Sequence, residues 1–116
     1  MPRKTQATSV MSDAALGSLQ QLGVRLKEAR LRRNWTQLLA ADKAGLSESS
    51  IKKVEAGASN ITVAAYLAML DIYGLPNALD SVLSAGQDTI GEALSRAETR
   101  KRARAPINQN EDEWAF

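Results

Sequence analysis

The segment TQLLAADKAGLSESSIKKVEAG, residues 36–57, leaves the chain around it little freedom. Its residue order predicts two short helices joined by one tight turn. Thr36 is a suitable N-cap, with Gln37 at the first exposed turn. Ala40, Ala41 and Ala44 give the first helix a small, close-packing face. Gly45 suits a turn that needs positive φ. Leu46 fills the space between the helices, and Ser47 caps the second. Ile51 and Val54 stand three apart and point inward. Glu55 can support the fold, and Gly57 can end the helix. Glu48, Ser49, Ser50, Lys52 and Lys53 are left facing out. A helix presented in this way fits the major groove of DNA.

These residues resemble the helix-turn-helix proteins of the Xre/Cro/phage-repressor type, the matching positions being Thr36, Gln37, Ala41, Gly45, Leu46, Ser47, Ile51, Glu55 and Gly57. The resemblance implies an all-α fold: a compact five-helix lambda-repressor-like helix-turn-helix domain over residues 12–84, followed by a C-terminal helical or flexible arm. It also implies site roles. Gln37 bonds phosphate and braces the second motif helix. Ser47, Glu48 and Ser49 lie nearest the base edges, and Lys52 reaches guanine or phosphate. Ser50 and Lys53 contact phosphate. Glu48 either accepts from cytosine N4 or stabilises its own helix N-terminus. One departure stands out. Position 40 is Ala where such proteins usually carry Leu, while Leu38 and Leu39 replace common charged residues. Either the first motif helix is rotated slightly, or it presents Leu38 or Leu39 to another surface. Two helices of an ordinary bundle, with no DNA role, form the competing reading.

Charge distribution agrees with a DNA-facing first half. The net charge is only +2, but residues 1–61 hold ten Lys/Arg against five Asp/Glu. Residues 62–105 are balanced, and residues 106–116 carry three acids and no base. The 116 residues suit one domain with a modest core. With five aromatics in all, that core must be built from Leu, Val, Ile and Ala. There is no Cys, and hence no disulfide or thiolate site. The absence of His removes the commonest general base and metal ligand. No Gly-rich phosphate loop, nucleophile elbow or metal-ligand cluster appears. No enzyme activity and no cofactor or metal are therefore expected. With no apolar run of membrane-spanning length and no secretory leader, a soluble, cytoplasmic, nucleoid-associated protein without membrane contact is expected.

Along the chain, residues 1–11 read as a flexible tail in which Arg3 and Lys4 either touch phosphate or are simply solvated. Ser12 and Asp13 open a long helix to about Arg33, with Leu16, Leu19, Leu22, Leu26 and Ala29 on one face. Gly17 and Gly23 are expected to weaken it. Arg25, Lys27, Arg30, Arg32 and Arg33 complement the helix dipole or lie near a phosphate backbone. Trp35 is expected to be a core or edge anchor. Thr62 caps a fourth helix through Tyr73, apolar on two sides: Val63, Tyr66, Leu67 and Leu70, then Ala65, Met69 and Ile72. Leu75-Pro76 is expected to start a fifth helix with Leu79, Val82 and Leu83 as its stripe. The second face of the fourth helix and this fifth helix form a candidate dimer surface, or else simply pack in the core.

Residues 85–105 form an amphipathic arm on Ile90, Ala93, Leu94 and Ala97 that ends in Arg100, Lys101, Arg102 and Arg104. Pro106 breaks it, and residues 106–116 read as a disordered acidic-aromatic tail. The layout is similar to the HipB-like antitoxins, on the Trp-Thr-Gln opening at 35–37 and a tail ending near a Trp. That similarity implies an autoregulating repressor, homodimeric on an inverted-repeat operator, that binds a HipA-like kinase toxin through Trp114 and Phe116. A stand-alone Xre-family regulator and a helix-turn-helix adaptor for proteins are the alternatives.

Overall fold

The computed structural model describes residues 10–84 and 86–103. Readings that fell on Arg3, Lys4, Arg104, Trp114 and Phe116 lie outside these residues. Five α-helices fall wholly within the described residues, among which there is no strand: α1 (Asp13–Arg32), α2 (Gln37–Ala44), α3 (Glu48–Glu55), α4 (Val63–Ile72) and α5 (Thr89–Ala103). The all-helical expectation holds. The chain divides into two units between Ala78 and Leu79, so α1–α4 belong to one and α5 to the other.

Each of the first four helices starts at a Ser or Thr whose hydroxyl accepts a backbone N–H of the first turn. Ser12 accepts from Ala15, Thr36 from Leu39, Ser47 from Ser50 and Thr62 from Ala65, at 3.0–3.3 Å. Each cap satisfies one of the orphan donors that every helix start leaves. α2 ends where Gly45 adopts φ 69°, and the chain reverses directly into Leu46. α1 packs on α3, while α2 packs on both α3 and α4. Their shared core is Leu26, Ala40, Ala41, Ile51, Val54, Ala65, Tyr66, Met69, Leu70 and Tyr73. Tyr66 also ties down the α3–α4 connection, its hydroxyl donating to the Ala58 carbonyl at 2.6 Å.

Three local expectations change. First, α1 is continuous through Gly23. A Cβ there would stand 2.7 Å from the carbonyl oxygens of Val54 and Glu55 and from the Gly57 amide nitrogen. Gly23 is thus the gap into which the end of α3 fits. Gly57 meets it from the other side, where a Cβ would collide with the Gln20 backbone. Second, residues 76–83 form a run of turns rather than an α-helix, with Leu83 at φ 58°. The stretch is short and rich in Asn, Asp and Ser, and Leu79, Val82 and Leu83 are exposed. A helix of this length needs tertiary packing that these side chains do not make. Third, the two apolar faces of α4 are partitioned differently. Ala65 and Met69 are buried together with Tyr66 and Leu70, so they belong to the core and not to a dimer surface. Spacings of three and four unite these four residues; Leu67 and Ile72 are partly buried against the same core, and Val63 is exposed.

The two glycines of α1 should therefore respond in opposite ways to alanine. Gly17 has nothing within 4 Å of a built Cβ, so Gly17→Ala should stabilise by up to about 1 kcal/mol. Gly23→Ala forces backbone apart and should destabilise by about 1–3 kcal/mol despite its better helix propensity. Thermal unfolding followed by circular dichroism measures both.

Candidate nucleic-acid interface

The outer side of α3 and the start of α2 supply the residues singled out by sequence. α3 is divided sharply between its faces. Ile51 and Val54 are fully buried, which fixes the roll of the helix. Glu48, Ser49, Lys52 and Lys53 are exposed on the opposite side, and Ser47 is exposed at the cap. Ser50 is half-buried, and its hydroxyl lies 2.9 Å from that of Ser47, so it belongs to the capping arrangement more than to the open surface. Glu48 sits in the first turn of α3, where a carboxylate favours the positive end of the helix. Its Oε1 is 3.9 Å from Lys52 Nζ, one turn along. Both groups are solvated, and the pair constrains them only weakly. Lys53 is exposed beside it.

The position of α3 is set by a buried ion pair. Arg30 Nε donates to Glu55 Oε2 at 2.6 Å, and Arg30 Nη2 donates to Glu55 Oε1 at 3.0 Å. Both side chains are more than nine-tenths buried. Gln37 Nε2 donates to the same Oε1 at 3.1 Å, which realises the expected bracing of α3 by the first residue of α2. Arg30 Nη1 reaches the Trp35 carbonyl at 2.9 Å. One carboxylate thereby gathers the ends of α1, α2 and α3. Hydrogen bonding to Glu55 is the main reason the Arg30 guanidinium is held above its ordinary pKa.

From the sequence alone Glu55 reads as a support, and Arg30 only as part of a basic cluster. A signal was present. Gly23, Leu26 and Arg30 recur at spacings of three and four and share the buried face of α1. A charged residue on such a face demands a partner.

Trp35 is half-buried at the edge of the core and stacks on Tyr73, centroids 5.8 Å apart and planes at 21°. Arg33 lies over the Tyr73 ring at 4.9 Å, and Lys43 over the Trp35 ring at 4.7 Å. This is the anchoring role expected of Trp35. Burial raises the Tyr73 phenol above its ordinary pKa, with the Glu55 charge adding to the shift.

The departure at position 40 also has a structural answer. Ala40 is fully buried, so α2 seats its small face on the core without the larger residue. Leu38 and Leu39 are 65% and 41% exposed. With Ala41 and Leu46 they line an open apolar groove that also carries Asp42 and Glu48.

Among the described residues no group of acidic side chains is arranged to hold a metal ion. None of the described helices is long and apolar enough to cross a membrane.

Because both partners are buried, removing one should be far costlier than removing both. Glu55→Met alone should lower stability by about 3–5 kcal/mol, leaving the Arg30 charge unpaired. The double variant Arg30→Met/Glu55→Met should recover a large part of that loss in a double-mutant cycle of denaturant unfolding.

A family model described as a helix-turn-helix domain matches residues 21–82, more than half of the chain. The match runs from the buried face of α1 through α4. Neither a search of curated proteins nor one of solved structures yields a match.

Proposed function

Since the chain belongs to the helix-turn-helix domain family, we propose that it is a sequence-specific DNA-binding transcriptional repressor. One observation carries this reading: the exposed side of α3 is polar and basic, while its other side is locked to the core by Ile51, Val54 and Glu55. A rod held this rigidly can enter the major groove without losing much conformational freedom. Ser47, Glu48 and Ser49 stand at the end that meets base edges, with Lys52 one turn further. Gln37 and Lys53 supply phosphate contacts, and Ser50 contributes through the cap. α3 has eight residues and reads few base pairs alone. A homodimer on an inverted-repeat operator, with recognition helices about 34 Å apart, provides enough contact for specificity.

A narrower role is as the autoregulating antitoxin of a HipA-like kinase toxin. Its support is sequence resemblance alone: Trp35-Thr36-Gln37 at the motif and the acidic-aromatic end with Trp114 and Phe116 as partner anchors. A stand-alone regulator needs none of that tail, and a protein-binding adaptor needs no DNA.

Two measurements separate these roles. Lys53→Ala should weaken binding to every duplex and flatten the dependence of log K on log salt by about one. An unchanged slope removes that phosphate contact, and no binding of any duplex at low salt favours the adaptor. Deleting residues 106–116 should leave operator binding by the dimer intact while abolishing capture of a HipA-like kinase. Equal capture with and without the tail rules out Trp114 and Phe116 as anchors.

A further inference from the structure

We propose that the C-terminal part of α5 is a second phosphate-binding surface, engaging double-stranded DNA through Arg96, Arg100 and Lys101. This rests on the DNA-binding reading above and extends it to a part of the chain beyond the family match at residues 21–82.

α5 buries no side chain, and Ile90 and Leu94 are largely exposed. Its start is organised locally: Asp88 Oδ1 accepts the Gly91 N–H at 3.0 Å. A helix of 15 residues with so little packing is marginal in water and gains from a partner.

The charges indicate which partner. Glu92 lies in the first turn, and beyond it in α5 the sequence holds Arg96, Arg100, Lys101 and Arg102 against one acid, Glu98. Helix-dipole complementarity accounts for cations in the last turn, but Arg96 stands about two turns from the helix end. Arg96 and Arg100 are one turn apart on one face, a rise of about 6 Å. Like charges at that spacing repel and weaken a helix. A polyanion laid along the face reverses the sign of that effect and releases its own counterions.

A protein partner fits less well. The apolar stripe Ile90–Leu94–Ala97 offers two large side chains, well short of the roughly 800 Å² per partner of a stable interface.

The test uses the full chain and a random-sequence duplex, with salt titrations of binding. Arg96→Gln/Arg100→Gln/Lys101→Gln should flatten the log–log salt slope by about two to three and weaken binding at least about tenfold at low salt. Arg100→Glu/Lys101→Glu should weaken it further. Ile90→Ser/Leu94→Ser should leave both slope and oligomeric state unchanged. An unchanged slope in the triple variant, while Lys53→Ala still flattens it, overturns the α5 surface and keeps the DNA-binding reading. A change of oligomeric state in the serine variant shows α5 to be a protein interface and also overturns the proposal. Failure of the unaltered protein to bind any duplex removes both readings together.

Discussion

The carboxylate of Glu55 is the point on which the helical arrangement converges. It accepts two hydrogen bonds from Arg30 and one from Gln37, so the last residue of α3 is joined to both helices that precede it. Burying two charges is costly, and a well-packed apolar pair of similar size often gives equal or greater stability. What the ion pair adds is direction. Apolar contacts through Ile51 and Val54 set how deep α3 sits, but they tolerate sliding. A bidentate guanidinium–carboxylate contact does not. Gly23 acts on the same end of the helix by a different means, allowing the backbone of α1 to approach the carbonyls of Val54 and Glu55.

The exposed side of α3 follows from this placement. The C-terminal end of α3 is clamped from inside, and its N-terminal end at Ser47 is exposed. The Ser47 side chain caps that end through Ser50, and the Ser47 carbonyl accepts the N–H of buried Ile51 at 3.1 Å. On α2, the small residue at position 40 keeps the helix seated, and the apolar surplus appears as Leu38 and Leu39 on the outside. The motif therefore presents a polar helix next to an oily groove, a pairing of surfaces that the resemblance did not imply.

Much of the fold could be read from residue order because its signals are local. Thr36, Ser47 and Thr62 each mark a helix start through a bond spanning three residues, and Gly45 marks a turn through its own backbone. The buried spacing of Ile51 and Val54 identifies the inner side of α3, and with it the outer side that forms most of the candidate site. Features set by contacts between distant segments were harder to see. Gly23 looks like a weak point because its value lies in the backbone of Val54, Glu55 and Gly57, which approaches it from a distant part of the chain. Arg30 looked like one cation among several, since only the folded chain brings it to Glu55. Residues 76–83 carry a helical stripe, yet a stripe needs a surface to cover, and Leu79, Val82 and Leu83 are left exposed. α4, apolar nearly all round, gave no asymmetry from which to choose its inner side.

The division of labour within α3 also bears on how such a protein can change. Ser49 and Lys53 project from the side opposite Ile51 and Val54, and Lys52 is tied only loosely to Glu48. Their exchange leaves the clamp at Glu55 and the buried side untouched. Surface substitutions of this kind usually alter stability by about half a kcal/mol or less. Outer surface and folding are thereby written on separate residues, and the exposed side of α3 can be rewritten without the scaffold being rebuilt.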